Sequence, residues 1–427
     1  MEVTITRLLC VLLLLANVVL AADHFVVSDI EINGLKRTHS WVVMRELGFQ
    51  IGDTISVQDL AHAERQLSNL TFFNSVSVTA DSTDKIKVDL REAWPILPAL
   101  SVNFTEGSIS DVIKDPSSFF DKATIYAGIG HINFRGNGGM LLGYVQFGAA
   151  QGFSLKYETR WFSPRLPVSL DLGFYNLQTS DREWAVRDST AYVRDVGYSA
   201  TVATHRGAPS RVGMQLQYRG IIREAHLPDQ IRHARTVWFS PFVIVDRRDL
   251  EWYPTRGAFA RADLNIATGD EEFIRSHYDL RGYFPLFDAP RPPLLALRFL
   301  GATSTSSTPG WASYYWGFLS AFRGYTGVKS QSSGYLLGDI ELRFPITREY
   351  SYDFPFIGSY GERWPFSISG VLFGERAELY FDGRRQERAA MGAGLHFRVP
   401  YVQIIEFAYS VNRDGKTEYN IISGIRF

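Results

Sequence analysis

The run from Gly338 to Pro345, which reads GDIELRFP, constrains the fold of this chain more than any other segment. Its charged and apolar residues alternate, with Asp339, Glu341 and Arg343 set against Ile340, Leu342 and Phe344. Successive residues of a strand point to opposite faces, so this segment has one charged face and one apolar face. A strand of a membrane β-barrel has this pattern, because it shows apolar side chains to lipid and polar ones to an aqueous lumen. The run therefore predicts a barrel strand whose charged face lines a lumen.

The composition is compatible with a membrane barrel. A bundle of membrane helices needs several apolar runs of about 20 residues, and the only such run in these 427 residues is at the N-terminus. Alternation hides the hydrophobicity of a barrel, so a mean hydropathy of -0.08 does not exclude the membrane. The 14% of aromatic residues fits interfacial girdles, although a large soluble β-protein with an aromatic core is the alternative. A net charge of -1 without a basic cluster argues against a nucleic-acid partner.

The first 22 residues have the pattern of a secretory signal peptide. Arg7 precedes an apolar core from Leu8 to Leu15, and Ala21 and Ala22 provide small residues for cleavage. An uncleaved anchor helix is the alternative. The only cysteine, Cys10, lies in this segment, so the mature chain is expected to contain no disulfide and no cysteine-based metal site or nucleophile.

Residues 23–95 have the pattern of a small α+β domain. A strand is predicted from Phe25 to Ile32, and a helix capped by Thr38 follows over 40–47. Ser56 with Asp59 opens a second helix that continues through Leu67. Alternating residues then predict strands over 76–80 and 86–90, which gives the order βααββ.

This order and the segments IEINGLKRT and LSNLTFFNSVSV resemble a polypeptide-transport-associated (POTRA) domain. An exposed sheet edge in such a domain could accept an extended client strand by β-augmentation. The alternative is that the domain is a spacer.

Beyond Pro95 and Pro98 the chain changes to short alternating segments. We count sixteen of them between residue 98 and the C-terminus, or about 20 residues for each strand with its loop, which is the usual spacing of a membrane barrel. The fold class is therefore mainly β: a 16-stranded antiparallel transmembrane barrel over 96–427, preceded by one βααββ domain. An even strand number puts both ends of the barrel in the periplasm and the loop that carries Phe322 outside the cell.

Four motifs in this order resemble the BamA/TamA superfamily of outer-membrane assembly and transport barrels, also called bacterial surface antigens. The first two are the loop tip Phe322-Arg323-Gly324-Tyr325 and the run GDIELRFP. The third is the turn DRRDLEWYPTRG, whose matching residues are Asp246, Arg248, Asp249, Pro254 and Gly257. The fourth is the last strand, in which one face carries Tyr419, Ile421, Ile425 and Phe427 and is interrupted by Ser423.

The resemblance implies that the loop carrying Arg323 folds back into the lumen and meets carboxylates of the barrel wall. The matching acids are Asp339, Glu341 and Glu375, and a planar guanidinium suits a bidentate carboxylate contact. Gly324 is expected to let the loop turn tightly beside the wall. The alternative is an exposed loop with an incidental arginine. The chain departs from the family pattern at Glu375, where aspartate is usual, and at Ala377, where glycine is usual.

An enzyme is not favoured. The charges between Asp246 and Asp249 are typical of a solvated turn with ion pairs near a barrel rim. The chain has neither a GxSxG elbow nor an HExxH helix. The enzymatic alternative is an outer-membrane lipase or protease. Single histidines are scattered along the chain and are expected in girdles or loops rather than as ligands or bases: His131, His205, His233, His277 and His396. No cofactor and no metal site is predicted.

The function predicted from these features is assistance in protein insertion or translocation at the bacterial outer membrane. The first strand, near Ala99 to Phe104, is expected to pair weakly with the last, near Tyr419 to Phe427, so that the seam can open and template a client strand. The expected partners are outer-membrane lipid, client polypeptides in extended form and periplasmic factors that bind the N-terminal domain. The alternative is a passive structural barrel, and the sequence does not identify the client.

Overall fold

The computed structural model describes residues 24–104, 115–180, 192–204, 210–223, 233–316, 322–325, 330–381, 383–399 and 403–423. Within these ranges the chain forms a small α+β domain followed by a closed β-barrel. The predicted signal peptide lies outside the described residues. No helix in the described part of the chain has the length and apolar character needed to cross a membrane.

The N-terminal domain packs two helices on a three-stranded sheet. Its elements are β1 (His24–Val26), β2 (Asp29–Asn33), α1 (Ser40–Leu47), β3 (Thr54–Ser56), α2 (Val57–Ser68), β4 (Phe73–Ala80) and β5 (Lys85–Glu92). The sheet order is β2-β5-β4, with β2 parallel to β5, while β1 pairs with β3. Apolar residues of the helices and the sheet, among them Val43, Leu67 and Val88, form one buried core.

Two local predictions for this domain are corrected by the structure. The predicted strand 25–32 is broken, because the backbone of Val27 pairs with Asp53 and that of Ser28 with Asp84, so the chain changes partners there. Thr38 does not cap α1: its hydroxyl donates instead to Glu92 at 2.6 Å, and His39 at the N-cap makes no side-chain cap. The capping box of α2 forms as predicted.

Three residues, 93–95, join this domain to the barrel. The barrel strands are β6 (Ile96–Phe104), β7 (Ala123–Phe134), β8 (Gly139–Gly148), β9 (Ala150–Glu158), β10 (Val168–Ser180), β11 (Tyr192–Thr204), β12 (Ser210–Arg223), β13 (His233–Asp246), β14 (Gly257–Gly269), β15 (Phe273–Pro285), β16 (Leu294–Ser304), β19 (Gly334–Pro345), β21 (Trp364–Phe381), β22 (Arg384–Val399), β23 (Gln403–Asn412) and β24 (Thr417–Ser423). The loops add α3 (Phe119–Lys122), β17 (Tyr314–Trp316), β18 (Ser330–Ser332) and β20 (Tyr350–Tyr352). The sixteen strands in the described residues are antiparallel, and β6 and β24 are neighbours in the closed barrel. The predicted fold class is thereby confirmed.

The alternation predicted for β19 is observed. Asp339, Glu341 and Arg343 point inward and are buried, whereas Ile340 is 48% exposed on the outside. On the outer face of β9 to β12, aromatic rings from four consecutive strands follow one another with centroids 4.9 to 6.2 Å apart: Phe153, Phe174, Tyr198 and Tyr218. An apolar outer surface of this extent suits contact with lipid.

The N-terminal domain packs against the end of the barrel at which β6 begins. We call this end the near rim; it carries the turns between β7 and β8, β9 and β10, and β13 and β14. The opposite end is the far rim, where the loop 305–333 connects β16 to β19. This arrangement defines which motifs face the domain and which face away from it.

Candidate functional site

The candidate site is centred on Arg323, which the loop 305–333 places inside the barrel. The described tip of this loop, 322–325, is buried, and Arg323 is 0% exposed. Its side chain donates to four carboxylates of the barrel wall. These contacts are Nη2 to Asp339 at 3.2 Å, Nη1 to Glu341 at 2.7 Å, Nη1 to Glu406 at 3.1 Å, and Nε to Glu375. The structure therefore brings all three predicted wall acids to the arginine and adds Glu406, which the sequence reasoning missed.

The strand register explains why one cation is needed there. Asp339 on β19 lies directly opposite Glu375 on β21, and like charges in that position repel each other. Arg323 lies between them, and its backbone N–H also donates to Glu375 at 2.6 Å. Its guanidinium stacks over the ring of Phe373, 3.6 Å from the ring centroid, which adds a cation–π contact.

The neighbours of Arg323 in the loop fix its position. Gly324 has φ +89°, and a Cβ there would lie 2.7 Å from the Cβ of Ala390, so the site requires glycine. Asn412 donates to the Gly324 carbonyl at 2.8 Å. Phe322 and Tyr325, whose rings are 5.5 Å apart, belong to one buried apolar cluster with Leu300, Leu337, Ala377, Leu379 and Ala390.

The two departures from the family pattern lie in this site. Glu375 reaches both the backbone and the side chain of Arg323, and the methyl group of Ala377 is buried in the apolar cluster. Arg376 and Glu378, in contrast, lie on the outer face of β21. Arg376 is 65% exposed there and pairs with Glu378 and Glu387, so the two polar residues belong to an ion-pair ladder outside the lumen.

A second layer of residues extends the arginine network toward the near rim. Arg343 donates from Nε to Glu341 at 2.8 Å, and His396 Nε2 lies 3.6 Å from Glu406 Oε2. His396 Nδ1 is 3.2 Å from the hydroxyl of Tyr253. Tyr253 belongs to the turn motif, so this chain of contacts connects the turn motif to the loop motif.

The predicted location of His396, in a girdle or loop, is wrong. It lies on the inner face of β22, 2% exposed, directly opposite Glu406 on β23. It alternates with Leu395 and Phe397 in the same way as the acids of β19 alternate with apolar residues. That pattern is the signal which could have identified both His396 and Glu406.

The turn motif lies at the near rim. Arg248 forms a bidentate pair with Asp246 at 2.8 and 2.6 Å, and its side chain is only 10% exposed, so the pair is less solvated than predicted. Asp249 accepts the backbone N–H of Thr255 at 2.9 Å. Gly257 has φ +107°, and a Cβ there would lie 2.2 Å from a backbone carbonyl. Pro254 is buried next to this turn.

Two turns of the near rim bind helix α1 and the end of helix α2. Glu46, buried on α1, accepts hydrogen bonds from Arg160 Nε at 2.9 Å and from Trp161 Nε1 at 2.8 Å. Arg160 also donates to Glu251 at 3.0 Å, and the Glu251 backbone donates to Asn69 at 2.9 Å. The turn motif thus holds the N-terminal domain through Glu251.

The β7–β8 turn holds the same domain from another side. Asn133 donates to the Thr38 hydroxyl at 2.7 Å, and the His39 backbone donates to the Gly136 carbonyl at 2.9 Å. Burial alone would raise the pKa of Glu92, but hydrogen bonds from Thr38 and from the backbone N–H groups of 36–38 outweigh it, so the pKa lies below its ordinary value.

The C-terminal motif is only partly described. Tyr419 and Ile421 point outward from β24 and are exposed, as expected for the lipid-facing side. Ile425 and Phe427 lie outside the described residues.

Comparison with known proteins assigns both parts of the chain to families. Residues 133–427 match the Omp85 superfamily domain, and residues 25–93 match POTRA, the surface antigen variable number repeat. The fold is similar to that of BamA from Haemophilus ducreyi lacking POTRA domains 1-3, with a TM-score of 0.55, 16% identity, and coverage of 94% of this chain and 83% of that one. It is also similar to CdiB from Acinetobacter baumannii, with a TM-score of 0.56, 14% identity, and coverage of 92% and 72%. For CdiB from Escherichia coli the TM-score is 0.53 at 10% identity, with coverage of 96% and 89%.

Proposed function

The chain belongs to the Omp85 superfamily of outer-membrane proteins, and on that premise we propose that it assists the insertion or translocation of polypeptides at the outer membrane. The observation that carries the proposal is that the first barrel strand, β6, lies beside the last one, β24. Strand β6 also follows the N-terminal domain after only three residues. Lipid offers unpaired backbone groups no partner, so an opened seam would pair readily with an incoming extended strand.

The first strand has a feature that favours such a seam. It spans nine residues and contains Pro98, which has no backbone N–H to donate and is typical of edge strands. On its other side β6 pairs with β7 without a shift in register from Ile96 to Phe104. The β6–β24 contact is therefore our candidate for the opening edge.

In this proposal the domains are 1–22 as signal peptide, 23–95 as POTRA domain and 96–427 as barrel. The near rim and the POTRA domain face the periplasm, and the far rim faces the outside. The sheet of the POTRA domain has edge strands β2 and β4, and β4 lies beside the barrel, where Asn74 donates to the Tyr360 carbonyl at 2.9 Å. We therefore assign the binding of client strands or periplasmic factors to β2. The proposal requires no catalytic residue.

A thiol cross-link across the seam tests the proposal. Leu100 on β6 and Ile421 on β24 both point outward, so Leu100→Cys combined with Ile421→Cys can be joined by a bifunctional thiol reagent. The only native cysteine is Cys10, in the predicted signal peptide, so the background is low. Cells depleted of the native protein should regain their normal outer-membrane proteome with the open variant and lose this rescue when the seam is joined.

A matched control joins β24 to β23, which lies on the same side of the seam, and leaves the contact between β6 and β24 unlinked. Tyr409 and Tyr419 are direct partners between β23 and β24, and cysteines in their place can be joined by the same reagent. This control should rescue before and after cross-linking. Full rescue by the joined seam variant would show that the seam does not open in function, and an unchanged proteome after depletion would favour the passive barrel.

A further inference from the structure

The arginine network brings four carboxylates together inside the barrel. In the described part of the chain, ion pairs connect the four wall carboxylates to two guanidinium groups, those of Arg323 and Arg343. A third guanidinium, that of Arg298, lies directly opposite Asp339 and donates to Asp279 at 3.0 Å. The side chains of the four acids are at most 1% exposed, and buried carboxylates need nearby positive charge. A group of buried acids of this kind is a suitable place for a cation.

An imidazole nitrogen is aimed at this acidic group. His396 Nε2 is buried and has no hydrogen-bond partner in the part of the chain that the structure describes. It lies 3.6 Å from Glu406 Oε2, which is too long for a hydrogen bond. Two ligands of a tetrahedral zinc ion, each about 2.0 to 2.1 Å from the metal, lie about 3.3 Å apart. The separation therefore suits two ligands of one ion.

We propose that Glu341, His396 and Glu406 bind a divalent transition-metal ion inside the barrel. Their ligand atoms all lie within 4.8 Å of one another and all three residues are buried, so small side-chain movements bring them to one ion. Two carboxylates and an imidazole suit zinc and leave a fourth position for water. The ion would add positive charge beside the wall carboxylates that contact Arg323.

The surrounding contacts are compatible with this role. Arg323 Nη1 occupies Oε1 of Glu341 and of Glu406, so each carboxylate can offer its second oxygen. Glu341 Oε2 also accepts from Arg343, and a carboxylate oxygen has a further lone pair for a metal. Tyr253, 3.2 Å from His396 Nδ1, can accept the N–H of that nitrogen and orient Nε2 toward the ion, as partners of metal-bound histidines do. Tyr253 is thus a positioning residue.

Zinc titration of the full mature protein in detergent tests the proposal. After removal of metal by a chelator, the wild type should bind one equivalent of zinc with high affinity, and zinc should raise its unfolding temperature. His396→Gln should weaken this binding at least tenfold and abolish the thermal shift, while Tyr253→Phe should weaken it by about 10- to 100-fold. Folding of each variant is checked by its heat-modifiable mobility.

His277→Gln is the matched control. His277 also lies on the inner face of a strand, with Nδ1 3.6 Å from Asp263 Oδ1, but it is not part of the three-residue group. This variant should bind zinc as the wild type does. The proposal is overturned if folded wild-type protein takes up no stoichiometric zinc, or if His396→Gln and Tyr253→Phe both bind it unchanged.

Discussion

Replacement of Arg323 by alanine should destabilise the barrel strongly. The change removes every side-chain contact of the guanidinium and leaves four carboxylates that are at most 1% exposed. Loss of one partner from a buried ion pair costs about 3 to 5 kcal/mol, and the cation–π contact with Phe373 adds to this loss. We expect the unfolding temperature in detergent to fall by on the order of 5 to 10 °C. Arg323→Lys should recover part of this loss, because lysine keeps the charge but not the planar fork.

Arg376→Ala is the control, because Arg376 is 65% exposed and its two ion pairs lie on the outer face. Such surface pairs contribute about 0 to 1 kcal/mol, so this variant should unfold near the wild-type temperature. The double variant Arg323→Ala with Glu375→Gln should be more stable than Arg323→Ala alone, since it removes one of the uncompensated charges. An unfolding temperature of Arg323→Ala within about 1 °C of that of Arg376→Ala would refute the reasoning.

Three further predictions concern other parts of the chain. Glu46→Ala should release the N-terminal domain from Arg160 and Trp161 and make it more susceptible to limited proteolysis, while unchanged cleavage would argue that other contacts suffice. Because the pKa of Glu92 is lowered in the folded protein, its stabilisation is complete well above the unfolded pKa of about 4.3 and is lost as the pH falls through the folded pKa. The protection of the amides of residues 36–38 against hydrogen exchange, relative to their intrinsic exchange rates, should fall there in the wild type. Glu92→Gln, with about 1 to 3 kcal/mol lost, should show low protection at all pH values. Phe427→Asp should lower the amount of assembled, heat-modifiable barrel in membranes, and wild-type amounts would contradict the role of the last strand as the assembly signal.

The regular parts of the fold could be predicted because their pattern is local. The inward position of Asp339 and Glu341 follows from alternation over a few residues, and the capping box of α2 follows from Ser56 and Asp59. The sequence does not predict the partner of Thr38, because its hydroxyl donates to Glu92, 54 residues away. No local pattern contains that contact.

The same limit applies to the site. The contacts of Arg323 with β19 span 16 and 18 residues, but its contact with Glu406 spans 83. Alternation places Glu406 and His396 on the inner faces of their strands, yet it does not show that these faces meet the loop tip. That requires the curvature of the barrel wall, which brings β19 and β23, separated by β21 and β22, to the same loop tip.

The opposition of Asp339 and Glu375 has a consequence for the order of assembly. While Arg323 is elsewhere, completion of the ladder between β19 and β21 brings two carboxylates face to face, so pairing of these strands and entry of the loop favour each other. We infer that the β19–β21 pair, the loop tip and β23 become ordered as one cooperative unit. Their amides should gain protection together in pulsed hydrogen exchange during refolding into detergent. Protection of β19 and β21 before that of the loop tip and β23 would contradict this. A barrel that folds in this way does not form a stable wall around an empty lumen, because its wall reaches full stability only after the loop has entered.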